Sequence, residues 1–170
     1  VEIDPNVLFE CLCDSTDELL IPVYYQLSQA ESEKLKKADI AIRTVEEKDL
    51  EAVAKIESDS LNVNVIGLNE LKRLYKNENY KMLSIKLNGE IVGFVLVELS
   101  DEINIVTIAV KKEFRNLGLA TKLIERVKSL AKEKGINRLS LEVSVNNPTA
   151  YLLYEKLGFK IRRERKNYYE

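Results

Sequence analysis

The stretch from Ile105 to Ala131 constrains this chain more than any other. Ile105-Val106-Thr107-Ile108-Ala109-Val110 is an apolar, largely β-branched run, and it predicts a buried strand. After Arg115-Asn116-Leu117-Gly118-Leu119-Ala120, apolar residues recur as Ala120, Leu123, Ile124, Val127, Leu130 and Ala131, the spacing of one helical face. A glycine-bearing loop that opens a helix directs backbone N–H groups, reinforced by the helix dipole, at whatever lies in front of it. Such a site suits a pyrophosphate. Glycine before a helix also serves plain turn geometry, so the loop by itself leaves both readings open.

The rest of the chain divides into short alternating elements. Asn6 to Leu12 and Leu19 to Leu27 have strand-like content, the second interrupted by Pro22. Ser28-Gln29-Ala30-Glu31 is a capping-box pattern that predicts a helix over about 29–38. Ile40 to Thr44 reads as a strand. Thr44 and Glu47 form a second capping-box pattern before a helix carrying Leu50, Val53, Ala54 and Glu57. Ser58 to Gly67 reads as irregular, and Leu68 to Tyr75 as a helix. Met82 to Leu87, Asn88-Gly89 and Ile91 to Glu98 spell a β-hairpin, with Gly93 marking a bulge or a close backbone approach. The long helix after Gly118 closes at Gly135. A strand over 137–145, a helix over 148–157 and a strand over 159–165 complete the pattern. From residue 40 the order is βααβββαβαβ, a mixed α/β (α+β) fold with a mostly antiparallel sheet flanked by helices.

Composition excludes several functions. The chain of 170 residues contains no histidine, which removes His-based nucleophilic triads and His-ligated metal sites. Cys11 and Cys13 are the only two cysteines and free buried thiols are the default for them, so neither a disulfide nor a metal pair is expected. Acid–base chemistry must then come from Glu, Asp, Tyr, Lys, Cys, a terminus or water. The net charge of −2 argues against a nucleic-acid partner held by bulk electrostatics. Lys160, Arg162, Arg163, Arg165 and Lys166 form the one basic cluster, readable as a solvated edge strand or as a patch for an acidic partner. No apolar run is long enough to span a bilayer and no signal-peptide pattern opens the chain, so a cytoplasmic location is expected.

The C-terminal half carries a family likeness. Arg115-x-x-Gly118-x-Ala120, with Asn146-Asn147-Pro148-Thr149-Ala150 and Leu153-Tyr154-Glu155-Lys156-Leu157-Gly158-Phe159, resembles the GNAT superfamily of acetyl-CoA-dependent N-acetyltransferases. The ending Lys166-Asn167-Tyr168-Tyr169 resembles the RimI/Ard1-like branch, which acetylates protein N-termini. The likeness covers roughly residues 40 to 170 and leaves 1–39 as an N-terminal extension of unclear role. It implies a GNAT fold less one final strand, because the chain stops at Glu170. A trimmed end, disorder or substitution by the N-terminal segment would each explain that. An unpaired edge is an aggregation liability, so cover is expected from residues 6–12 or from a partner chain, which would make a homodimer.

The resemblance also implies roles. Arg115, Asn116, Leu117, Gly118, Leu119, Ala120 and Thr121 would wrap the pyrophosphate of acetyl-CoA. Ile108, Ala109 and Val110 would offer strand backbone to its pantetheine arm, and Asn147 would approach it. Arg115 reads equally as a solvent-facing charge at a helix start, and Asn147 as an N-cap before Pro148. Tyr154 would be the general acid that protonates the departing sulfur; periodicity alone fits a core tyrosine. Glu142 would be the general base, acting through water, and partial burial would suit it; its alternation with Leu141 and Val143 also fits a solvated face. Tyr168, Tyr169 and Leu61 would grip the first residues of a peptide acceptor, although the tyrosine pair also fits aromatic cover of a sheet edge. The implied activity is acetylation of protein α-amines by direct transfer. Lysine or small-molecule acceptors, or a non-catalytic acetyl-CoA-binding module, are the alternatives.

Overall fold

A computed structural model describes residues 6–12, 29–61, 65–144 and 148–164. Its elements in chain order are β1 (Asn6–Leu12), α1 (Gln29–Lys36), β2 (Ile40–Thr44), α2 (Leu50–Ser60), α3 (Leu68–Tyr75), β3 (Tyr80–Leu87), β4 (Glu90–Leu99), β5 (Ile103–Val110), α4 (Leu119–Glu133), β6 (Arg138–Ser144), α5 (Pro148–Lys156) and β7 (Lys160–Glu164). The strands form one sheet in the order β2-β3-β4-β5-β6-β1-β7. Its pairs are antiparallel except β5 with β6, which run parallel. The expected alternation from residue 40 onward is thus realised. The strand-like segment Leu19 to Leu27 lies outside the described residues.

Helices cover both faces of the sheet, because each strand alternates its apolar residues between two cores. On one face α4 buries Leu119, Leu123, Ile124, Val127, Leu130 and Ala131 against Ile85, Val95, Val97, Ile103, Leu139 and Leu141. On the other, Leu50, Val53 and Ile56 of α2 and Leu71 and Leu74 of α3 pack on Met82, Phe94, Leu96 and Ala109. Each of these side chains larger than alanine contributes about 1.5–3 kcal/mol of burial, so the two apolar stripes fix where both helix layers sit. The hairpin turns at Asn88-Gly89, both with positive φ, as the Asn-Gly pair predicts.

The capping box lies two residues later than Thr44–Glu47. The Glu46 N–H donates to Asp49 Oδ2 (3.1 Å), and a short 3₁₀ turn over Glu47–Asp49 leads into α2. The reason is tertiary. The Val45 N–H donates to the Met82 carbonyl (3.0 Å), so sheet pairing holds the chain extended past Thr44. Helix α2 in turn runs through Ser60, taking in the first residues of the segment that reads as irregular.

Two bulges shape the middle of the sheet. Ile85 pairs with Gly93 and Lys86 with Ile91, leaving Val92 as the extra residue. Gly93 also meets the expectation of a close backbone approach, since a Cβ there would lie 2.9 Å from the Ala109 carbonyl oxygen. In β5, Leu96 pairs with Thr107 and Val97 with Ile105, so Val106 is extra. The extra residue flips the side-chain phase. Ile103 and Ile105 face α4 before it, and Ile108 and Val110 after it.

Parallel pairing of β5 with β6 runs only from Ile103–Leu139 to Ile105–Leu141. Beyond the Val106 bulge the two strands part, and the Thr107–Val110 edge of β5 is not paired with β6. This splay opens the sheet at its centre.

Residues 6–12 supply the expected cover of a strand edge. They lie inside the sheet, antiparallel to both neighbours, with Asn6–Leu12 against Ser144–Arg138 and Val7–Glu10 against Glu164–Lys160. Crossing through α5 sets β6 and β7 one strand apart and parallel to each other, which leaves a slot that only an antiparallel strand fills. β1 fills it, and β7 becomes the edge.

Candidate active site

The splay between β5 and β6 opens into a cavity of about 500 Å³. Its floor is Ile108, Ala109 and Val110 at the end of β5, and one wall is Asn116, Gly118, Leu119, Ala120 and Thr121 at the start of α4. The loop takes this course because Asn116 (φ 62°) and Gly118 (φ 76°) both adopt the left-handed conformation, which asparagine and glycine tolerate best. Gly118 is the N-cap of α4 and offers no side chain to its first turn. The earliest helical bond is from the Lys122 N–H to the Gly118 carbonyl (3.1 Å). The N–H groups of Leu119, Ala120 and Thr121 therefore have no carbonyl one turn earlier to bond. Three such donors at the positive end of a fifteen-residue helix, beside a cavity, form an anion-binding site.

Arg115 lines the same cavity and is held on it. Its Nε donates to the Val110 carbonyl (3.0 Å), tying the loop to the end of β5 and leaving the terminal guanidinium nitrogens for an anion. Leu117 departs from the expected set. It is half-buried and packs onto the α4 core rather than lining the cavity.

The opposite wall comes from α5, with Thr149, Ala150, Leu153 and Tyr154. Tyr154 is 7% exposed, and burial pushes its phenol up to about 12. The turn after α5 fixes the end of the helix that carries it. The Phe159 N–H donates to the Tyr154 carbonyl (3.0 Å) and the Gly158 N–H to that of Glu155 (3.1 Å), with Gly158 at φ 88°. The Phe159 ring meets the Tyr154 ring edge-on, with centroids 5.8 Å apart. Lys128 of α4 donates to the Leu157 carbonyl (2.6 Å) and lies over the Phe159 ring, so α4 anchors the same turn. Leu-Gly-Phe thus acts as a clamp on the tyrosine.

Glu142 is exposed, where partial burial suited its expected role, and it does not line the cavity. It follows Ser140 on the face of β6 away from α4, and at its level the neighbouring strand is β1, with Leu8 as its register partner. Leu61 does line the cavity, next to Ser60 at the end of α2. Asn147, Tyr168 and Tyr169 lie outside the described residues.

Some features escape a reading of the sequence. Phe114, Ser60, Thr149, Ala150 and Leu153 all line the cavity. Ala150 and Leu153 share a helical stripe with Tyr154, which is the signal that points to them. Glu57, by contrast, is expected at the apolar positions of α2, and it is a fully buried carboxylate there. Its signal is a glutamate at a core-facing position, on the stripe of Leu50 and Val53. Among the described residues there is no cluster of three or more metal-ligating side chains, and no helix is long and apolar enough to cross a membrane.

Residues 43–159 match the Acetyltransferase (GNAT) family. A Bacillus subtilis protein with the provisional name ribosomal protein bS18-alanine N-acetyltransferase is 34% identical over 134 residues, 78% of this chain and 89% of that protein. The Escherichia coli ribosomal protein bS18-alanine N-acetyltransferase is 33% identical over 95 residues, which span 55% of this chain and 64% of that enzyme. The crystal structure of the Escherichia coli enzyme superposes with a TM-score of 0.70 at 29% identity, covering 77% of this chain and 84% of its own. Ard1 from Thermoplasma volcanium gives a TM-score of 0.66 at 29% identity, over 73% of this chain and 84% of that one.

Proposed function

The chain belongs to the GNAT acetyltransferase family, and from that premise we propose that it acetylates the α-amine of a protein N-terminus, with acetyl-CoA as donor. What carries the acceptor assignment is the likeness to the Bacillus subtilis protein over 89% of that protein's length.

The cavity fits the donor. Its volume, the free N–H groups at the start of α4 and the anchored Arg115 suit a pyrophosphate with a long apolar arm. Ile108 to Val110 pair with β4 on one side, and their other edge, which β6 leaves unpaired, suits the amides of that arm. Leu119, Ala120 and Thr121 hold the phosphates through backbone N–H groups, and Arg115 adds charge. Bound acetyl-CoA supplies the activated acetyl thioester.

Tyr154 and Glu142 carry the protons. As the N–C bond forms and the C–S bond breaks, Tyr154 gives its phenolic proton to the departing sulfur. A proton lost by the amine passes through water to Glu142, which is exposed, and solvent returns a proton to the phenolate, so protons balance over the cycle. Its raised pKa keeps Tyr154 protonated before transfer. Leu61, Tyr168 and Tyr169 contact the first residues of the acceptor.

The test is CoA release with acetyl-CoA and short peptides, each with a free or blocked α-amine and one with a free lysine. Turnover that requires the free α-amine is the expected result. Turnover that survives blocking of the α-amine but needs the lysine assigns a side-chain acceptor instead. Acetyl-CoA binding with no turnover on any peptide removes the protein acceptor.

A further inference from the structure

Glu57 has no exposed surface, and a carboxylate taken out of water is costly unless its oxygens are satisfied. Both are. The Ile66 N–H donates to Oε1 (2.9 Å) and the Gly67 N–H to Oε2 (3.1 Å). The Glu57 main-chain carbonyl also accepts from the Leu61 N–H (2.9 Å). That last bond is a helical one any residue would make; the two bonds of the side chain are what hold Ile66 and Gly67, at the start of α3, against α2. Gly67 is the N-cap of α3 and has no side chain to cap with, so the Glu57 carboxylate stands at the positive end of that helix in its place. A leucine would fill the volume as well. The carboxylate is explained by the two N–H groups it holds.

This contact bears on the cavity, because Ser60 and Leu61, which line it, follow Glu57 within about one turn at the end of α2. We infer that Glu57 is a positioning residue that sets the acceptor side of the cavity, acting through the last turn of α2, to which it holds the start of α3. The inference rests on the acetyl-transfer reading above, and it adds a determinant of acceptor affinity outside the pyrophosphate loop.

The test compares Glu57→Ala and Glu57→Gln with the unmodified protein, varying peptide and acetyl-CoA separately. Loss of two charge-assisted bonds should raise the peptide KM of Glu57→Ala by about tenfold or more, leaving the acetyl-CoA KM within about twofold. Glu57→Gln keeps an acceptor oxygen and should fall between the two. Amide exchange should quicken at Ile66 and Gly67 while the α4 amides keep their protection. An unchanged peptide KM, or a rise in both KM values together, overturns the inference. If Glu57→Ala does not fold, Glu57→Gln is read alone against the same criteria. If the unmodified protein turns over no peptide, the acceptor reading fails by itself. The local exchange at Ile66 and Gly67 then decides whether Glu57 holds the start of α3.

Discussion

Tyr154 is both a core residue and a cavity residue, so the two readings of its helical spacing are compatible. Its ring packs on Phe159 while the residue lines the splay. Tyr154→Phe keeps the packing and removes only the hydroxyl. As general acid catalysis is worth about 100-fold or more, kcat should drop by that order while calorimetric affinity for acetyl-CoA stays close to that of the unmodified protein. An unchanged kcat removes the acid role. The same hydroxyl has a stability signature. Its pKa is raised from 10.0 to about 12 by desolvation, so the folded state binds this proton more tightly than the unfolded state. That contribution is complete below pH 10 and is lost as pH rises toward about 12. Urea midpoints measured on both sides of pH 10 should therefore fall more steeply in the unmodified protein than in Tyr154→Phe. Glu142 marks a limit of residue-scale reading. Alternation along β6 assigns the face it shares with Ser140, but not what covers that face. Ser140 is buried there and Glu142 is exposed.

Elements whose causes are local were legible in the sequence. Ile40–Thr44 and Leu68–Tyr75 form with the bounds their patterns imply, and the Asn88-Gly89 hairpin turns where it should. The start of α2 was not legible, because the pairing of Val45 with Met82 delays it and that contact spans the sheet. The splay was legible only as a glycine and a buried strand; the Val106 bulge that opens it has no local signature. The place of β1 was the least legible. Both of its neighbours lie far along the chain, and the slot it fills exists only once α5 has carried β7 past β6. A strand paired on both sides does not tolerate proline. Glu10 pairs with Ser140 on one side and Lys160 on the other, away from the irregularity at Leu8 and Phe9. Glu10→Pro should destabilise the protein by about 1–3 kcal/mol, the cost of a lost ladder bond and its stranded partner. Thermal unfolding checks it, and an unaltered Tm would place residues 6–12 outside the cooperative sheet.

At the scale of the whole molecule, the cavity belongs to no single element. The end of α2, the splayed end of β5, the start of α4 and the inner face of α5 each supply a wall. Among the described residues, the two halves of the sheet share only the short parallel ladder from Ile103 to Ile105. A ligand in the splay therefore bridges parts of the molecule that the backbone joins weakly, and binding should stabilise the fold as a unit. With acetyl-CoA at a hundred times its Kd, mass action supplies about 2.7 kcal/mol, which corresponds to a rise of about 5–10 °C in Tm for a chain of this size. Gly118→Val separates the fold from the ligand. A Cβ at Gly118 meets nothing within 4 Å, so the protein itself accommodates the added atoms. The strain of a β-branched residue at φ +76° costs about 1–3 kcal/mol. The added side chain takes up space beside the free N–H groups of α4, where the pyrophosphate would sit. The variant should unfold cooperatively at a somewhat lower Tm and show no rise with acetyl-CoA. A full ligand-induced rise in Gly118→Val would move the phosphates away from this loop, while a rise absent from the unmodified protein as well would remove acetyl-CoA from the cavity.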